Sequence, residues 1–186
     1  MPKQPTLETD RLRLRPFRQS DAPDILRLVG DREVAATTLR IPHPYEEGMA
    51  EAWLAVQEEE LEQGRGVHFA ILRRSDEAFV GAIGLSLQSE HARAELGYWI
   101  GRPYWHQGYA TEAAAAVIRY GFDVLGLNRI LAHHMARNPA SGRVMQKLGM
   151  QREGLLRQHV WKWGQFEDVV VYAILREEID RGPTSR

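Results

Sequence analysis

Near the start of the chain Leu12 and Leu14 alternate with Arg11, Arg13 and Arg15 before Pro16, the pattern of a half-buried strand. Ser20 or Asp21 then stands where a helix cap belongs, and Ile25, Leu26, Leu28 and Val29 give the helix an inward face, with Gly30 near its end. Residues 31–45 show no period, and Pro42 and Pro44 break any helix, so this stretch reads as an irregular loop long enough to be functional. Residues 46–63 return to a helical pattern through Met49, Trp53, Leu54 and Leu61, with the glutamates on a solvated side. Residues 67–72 and 79–87 are dense in apolar and β-branched side chains, and the polar stretch 73–77 joins them as a hairpin.

Downstream, Leu96, Tyr98 and Ile100 alternate within residues 93–101 and predict a strand. Ala110, Ala113, Ala114, Val117, Ile118, Gly121, Phe122 and Leu125 share one helical face, closed by Gly126. Residues 129–135 read as a strand. Asn138 and Pro139 supply a cap and a first-turn proline for a helix that runs to Leu148 and stops at Gly149. Residues 166–175, centred on Val169, Val170 and Val171, form the last strong strand pattern. Strands and helices mix throughout, with hairpins towards both ends, so the expected fold is α/β with a mixed sheet. No repeat or linker divides residues 1–186, which read as one domain.

With 44% hydrophobic and 26% charged residues, the composition excludes a disordered chain. The 24 Lys plus Arg balance 25 Asp plus Glu, so no net positive field draws the protein to nucleic acid. The absence of cysteine rules out a thiolate nucleophile, a disulfide and a sulfur-bound zinc. No apolar run resembles a signal sequence or a membrane span, so a cytoplasmic location is the default.

The chemistry concentrates in residues 93–151. The turn Gln107-Gly108-Tyr109-Ala110-Thr111 opens a helix, where backbone N–H groups lack intrahelical partners and the helix dipole favours an anion. A pyrophosphate is the natural ligand. This turn, the later Asn138-Pro139-Ala140-Ser141 and Lys147-Leu148-Gly149-Met150 together resemble the GNAT superfamily of acyl-CoA-dependent N-acetyltransferases. The segments from Thr9 to Phe17 and from Asp168 to Arg176 are similar to the RimJ/RimL-type ribosomal-protein N-terminal acetyltransferases, and the resemblance covers residues 7–178, leaving 179–186 as a tail.

That resemblance implies a mixed, mostly antiparallel sheet whose central strands splay, often by a bulge, between flanking helices. It also implies acetyl-CoA as co-substrate, an amine acceptor such as a ribosomal-protein N-terminus, no metal, and a homodimer. The superfamily turn begins with Arg or Gln, whereas Trp105 stands there in this chain; Gly108 and Ala110 fit. Gln107, Gly108, Tyr109, Ala110 and Thr111 would hold the pyrophosphate through backbone amides. Trp99 and Ile100 would line the slot for the pantetheine arm, and an amide of their strand could stabilise the tetrahedral oxyanion.

Glu95 matches the family's general base, which would take a proton from the attacking amine; the alternative is a structural partner for Arg93, Arg137 or another nearby cation. Ser141 matches the serine that protonates the departing thiolate in RimL-type enzymes, or else it satisfies a helix-start amide. The mid-helix tyrosine that many relatives use as acid is replaced by Met145. Asn138 resembles the residue that binds the pantetheine arm, and capping would also explain it. Arg143 and Lys147, four apart, could reach CoA phosphates or remain a solvated pair. His133 and His134 are adjacent on a strand and point to opposite faces, which opposes metal ligation.

Direct transfer needs no covalent intermediate, and an α-amine with a pKa near 7.7–8.0 asks less of its base than a lysine near 10.4. Residues 38–45 and a hairpin over 160–165, with Trp161 and Trp163, are expected to border the acceptor. The competing readings are acetylation of a polyamine or aminoglycoside, which calls for a more acidic pocket, and a CoA-binding sensor without catalysis.

Overall fold

The computed structural model describes residues 4–179. Its strands are β1 (Leu7–Glu8), β2 (Leu12–Pro16), β3 (Gly66–Arg73), β4 (Phe79–Gln88), β5 (Arg93–Ile100), β6 (Arg129–Met135), β7 (Gln151–Lys162) and β8 (Gln165–Leu175). The helices are α1 (Ala22–Val29), α2 (Arg32–Thr37), α3 (Met49–Glu62), α4 (Tyr109–Asp123) and α5 (Pro139–Lys147). The strands form one sheet in the order β1-β2-β3-β4-β5-β6-β8-β7. Every neighbouring pair is antiparallel except β5 and β6. These two run parallel because α4 crosses between them, the connection a parallel pair requires.

Alternation along the strands gives the sheet two apolar faces. Phe69, Ile83, Leu85, Leu96 and Ile130 pack beneath α4 and α5, whose Val117, Ile118 and Met145 meet them. Ala70, Ala82 and Trp99 face the other way, beneath α1 and α3. Each large side chain buried in these layers contributes about 1.5–3 kcal/mol. Gly121 lets α4 lie close to the sheet: a Cβ there would stand 2.9 Å from Ile130 Cδ1 and 3.0 Å from Leu85 Cδ1.

Beyond its first three residues β5 leaves β6. Arg93–Glu95 pair with Arg129–Leu131, after which β5 stays with β4 to Ile100 and β6 stays with β8 to Met135. A gap therefore opens in the sheet. The register of β4 against β5 is continuous across all eight pairs, so the splay arises without the bulge expected there; the irregularities lie between Ile71 and Leu72 and within β7.

Three local expectations are corrected. Residues 31–45 are not wholly irregular, because Asp31 Oδ1 accepts from the Glu33 N–H at 2.8 Å and starts α2. Six residues are too few to display a helical period. Asp21 stands at the start of α1 but its carboxylate does not cap it. It accepts instead from Arg15 Nη1 and Nη2 at 2.8 and 2.6 Å and from the Arg18 N–H at 2.8 Å. The hairpin expected over 160–165 is the tip of two long strands, and β7 escaped notice because most of its residues are exposed, leaving no alternation to read.

Candidate active site

The turn that precedes α4 is set by two left-handed residues, His106 (φ 60°) and Gly108 (φ 80°). The first bond of α4 runs from the Glu112 N–H to the Gly108 carbonyl at 3.1 Å. The amides of Tyr109, Ala110 and Thr111 precede that bond, which leaves them in the unpartnered first turn of the helix. Trp105 donates its indole N–H to the Ile100 carbonyl at 2.7 Å, tying the turn to the end of β5. Gln107 donates to the Pro103 carbonyl at 3.1 Å.

Arg11, from the start of the chain, completes this turn and was not foreseen. Its guanidinium donates to the Gln107 carbonyl at 2.9 Å and to Glu112 Oε2 at 2.7 Å, and lies 4.9 Å above the Tyr109 ring. Partial burial would raise Glu112, but hydrogen bonds from the Thr9 hydroxyl and from Arg11 hold its carboxyl below the ordinary value. The clamp thus neutralises a carboxylate that would otherwise repel an anion at the helix start.

The gap between β5 and β6 connects the two faces of the sheet. Gly101 donates to the Val80 carbonyl at 2.8 Å, and Asn128 donates to that of Ala92 at 2.6 Å. Backbone groups therefore alternate: those of Glu95, Gly97 and Trp99 point towards β4, and those of Tyr98 and Ile100 point into the gap. A cavity of about 410 Å³ opens on the face of α1 and α3, where Glu95, Gly97, Trp99, His133 and residues 37–42 wall it, and reaches through the gap to Tyr98 and Ser141 on the other face. Trp99 joins its wall, whereas Ile100 is packed into the core under α4.

Glu95 faces His133, with Oε1 3.5 Å from Nδ1, rather than Arg93 or Arg137. Arg93 donates to Gln88, and Arg137 pairs with Glu167 at 2.6 Å. Ser141 stands on the other side of the sheet from Glu95, at the start of α5. Its Oγ lies 2.7 Å from the Tyr98 hydroxyl, and either oxygen can be the donor. Burial pushes the Tyr98 phenol up to about 12, against the opposing effect of that bond. Tyr98 escaped sequence reasoning because its place in the alternation of β5 reads as plain core.

Asn138 accepts from the Ser141 N–H at 3.4 Å and donates to the Thr37 carbonyl at 3.3 Å, so the cap of α5 also holds the end of α2. Met145 is buried in the core. Arg143 and Lys147 are exposed on α5 and make no ion pair among the described residues. His133 and His134 do point apart: His134 is stacked on Tyr172 with centroids 5.9 Å apart. Among the described residues no cluster of His, Asp and Glu has the makings of a metal site, and no helix is long and apolar enough to cross a membrane.

Residues 38–42 and Tyr45 wall the cavity, but the β7–β8 tip does not; it braces them from behind. Lys162 donates to the Ile41 carbonyl at 3.2 Å, and Trp163 lies 5.9 Å from the His43 ring and 5.0 Å from the Arg32 guanidinium. Trp161 packs edge-on to Phe166 at the surface.

A sequence profile of the acetyltransferase (GNAT) domain matches residues 11–151. The uncharacterized N-acetyltransferase YoaA of Bacillus subtilis (strain 168) is 38% identical over 176 residues, 92% of this chain and 97% of that protein. The ribosomal protein uS5-alanine N-acetyltransferase of Escherichia coli (strain K12) is 29% identical over 134 residues, 71% of this chain and 69% of that protein. Mycobacterium smegmatis RimJ, solved in complex with CoA-disulfide, superimposes with a TM-score of 0.81 at 25% identity, over 92% of this chain and 85% of that one.

Proposed function

Because the chain belongs to the GNAT family of N-acetyltransferases, we propose that it transfers acetyl from acetyl-CoA directly to the α-amine of a protein N-terminus, through the gap between β5 and β6. The observation that carries this reading is the two-sided gap. An anion-receptive turn lies on the side of α4, and a cavity containing a carboxylate lies on the side of α1 and α3.

In this reading the amides of Gln107 to Thr111 take the pyrophosphate, with Arg143 and Lys147 available to the outer phosphates and Asn138 to the pantetheine arm. The acceptor amine enters over Gly97, and Glu95, with His133 beside it, takes its proton as nitrogen attacks the thioester carbon. The Tyr98 N–H, turned into the gap, is placed to stabilise the oxyanion. The C–S bond then breaks and the thiolate leaves beside Ser141.

A phenol near 12 is a poor proton donor to a thiolate whose conjugate acid lies near 8.5, since full transfer would be uphill by about 4–5 kcal/mol. Tyr98 therefore donates to Ser141 Oγ, the Ser141 hydroxyl in turn donates a hydrogen bond to the thiolate, and water supplies the proton. Holding both reactants in one gap supplies much of the rate by removing the entropy of encounter.

The N-terminal acceptor is favoured by the easier deprotonation of an α-amine than of a lysine. It is favoured also by the likeness to the uS5-alanine enzyme and to RimJ. The test is mass spectrometry of peptides, polyamines and aminoglycosides incubated together with the protein and acetyl-CoA. Acetyl groups on peptide α-amines are expected. Transfer to polyamines alone would replace the acceptor, and an unchanged melting temperature in saturating acetyl-CoA would remove the activity.

A further inference from the structure

The cavity contains a second carboxylate–imidazole pair that the transfer does not use. Glu60 of α3 meets His68 of β3, with Oε2 3.0 Å from Nε2. Both line the cavity. An ionised Glu60 favours the tautomer with its proton on Nε2, which leaves a lone pair on Nδ1. No protein group bonds Nδ1 among the described residues. Burial lowers the imidazole below its ordinary value despite Glu60, with Arg40 acting in the same direction as burial, so the ring is neutral near pH 7.

The register explains where that lone pair lies. His68 stands opposite Gly84, and Gly84 stands opposite Gly97. A Cβ on Gly84 would come within 2.2 Å of His68 Nδ1, whereas one on Gly97 would meet nothing within 4 Å. The imidazole therefore lies over Gly84, and the adjacent floor at Gly97, flanked by Glu95 and Trp99, is open. The two positions are about 4.8 Å apart, one strand spacing.

We propose that His68, oriented by Glu60, accepts a hydrogen bond from the first peptide N–H of the acceptor, and so reads a peptide backbone next to the reacting amine. This rests on the N-terminal reading above and deepens it. The next amide nitrogen lies about 3.5 Å along an extended chain, and a hydrogen bond adds about 3 Å. An amine over Gly97 therefore places that N–H within reach of the ring above Gly84. Charge supports a peptide: the formally charged groups of the wall are Glu60, Glu95 and Arg40, one negative charge in excess. That matches an acceptor with one ammonium and neutral donors, not a polyamine.

The test compares a short peptide with its depsipeptide analogue, in which an ester oxygen replaces the first amide N–H, at a pH where the α-amine of both is free. Wild-type protein is expected to lose roughly tenfold in kcat/KM on the ester. His68→Phe, which keeps a ring over Gly84, should be impaired to a similar degree on the amide and show no further loss on the ester. Equal turnover of both compounds by wild type would overturn the proposal while leaving N-terminal transfer standing. Acetylation of neither, with a polyamine accepted, would remove both. If His68→Phe does not fold, the wild-type comparison alone decides.

Discussion

Placing a side chain on the open floor separates stability from activity. Gly97 lies mid-strand without a positive φ, and a Cβ built on it meets no atom within 4 Å. Gly97→Val removes the extra freedom glycine gives the unfolded chain, about 0.5–1 kcal/mol, and valine suits a strand. For a chain of this length that corresponds to a rise in Tm of about 1–4 °C. The same three carbons occupy the floor beside Glu95 in a cavity of about 410 Å³. An amine displaced by about 1 Å loses on the order of 100-fold in rate, so kcat/KM for the acceptor should fall by that order while KM for acetyl-CoA holds. Gly84→Ala is the control, because its Cβ meets His68 Nδ1 at 2.2 Å and the Val67 carbonyl at 2.8 Å. Overpacking of that kind costs about 1–3 kcal/mol, so its Tm should fall. Thermal melts and steady-state kinetics on the three proteins decide the matter. A Gly97→Val protein that melts lower than wild type, or that acetylates at the wild-type rate, refutes the reasoning.

Other positions give sharper single readouts. Arg15→Met leaves the buried carboxylate of Asp21 without its bidentate partner; at about 3 kcal/mol or more the melt should fall by roughly 6 °C or more, and a smaller shift would mean that the pair is solvated. Tyr98→Phe removes the hydroxyl 2.7 Å from Ser141 Oγ and should lower kcat about tenfold with KM for acetyl-CoA unchanged; an unaltered kcat excludes the pair from the departure of the thiolate. Glu95→Gln should retain the acetyl-CoA-induced rise in Tm and lose turnover most at low pH, where free amine is scarcest; an unchanged pH–rate profile removes Glu95 from the mechanism. Glu112 is held below its ordinary 4.5 in the fold, so its contribution is present above that pH and is lost as pH falls through the depressed value. Urea midpoints of Glu112→Gln should therefore lie below wild type at pH 7 and converge with it on acidification, and a gap that persists at low pH would contradict this.

What the chain reveals in its sequence follows from how each part is built. The strands β2 to β6 and β8 and the helices α1, α3 and α4 show in their apolar residues, because each buries one face or both in the sheet, whereas α5 shows in its cap, Asn138-Pro139, and in Gly149 after its end. α2 is too short to show a period, and β7 is exposed on too many sides to alternate. The proposed donor side depends on backbone geometry within contiguous stretches, so Gly108 before α4 and Asn138 before α5 suggest it from sequence alone. Arg11 does not, because nothing near it in the chain indicates that it meets Gln107 and Glu112 about a hundred residues away.

The acceptor side shows why local reading stops where it does. Glu60 and His68 come together because α3 lies across β3, and His68, Gly84 and Gly97 form a row because two antiparallel registers put them opposite one another. Each of these residues has a bland explanation alone: a solvated glutamate in an acidic run, a histidine in a strand, two glycines in a sheet. A change of register by one residue in β3 or β5 would turn His68 or Gly97 to the other face and abolish the row. The apolar residues at the alternate positions, Val67, Phe69, Ile83, Leu85 and Leu96, fix that register by their burial under α4. The packing of one face thus sets the acceptor chemistry proposed for the other, and mutations in the core beneath α4 that loosen the register should alter the acceptor preference before they affect the turn proposed to hold the donor.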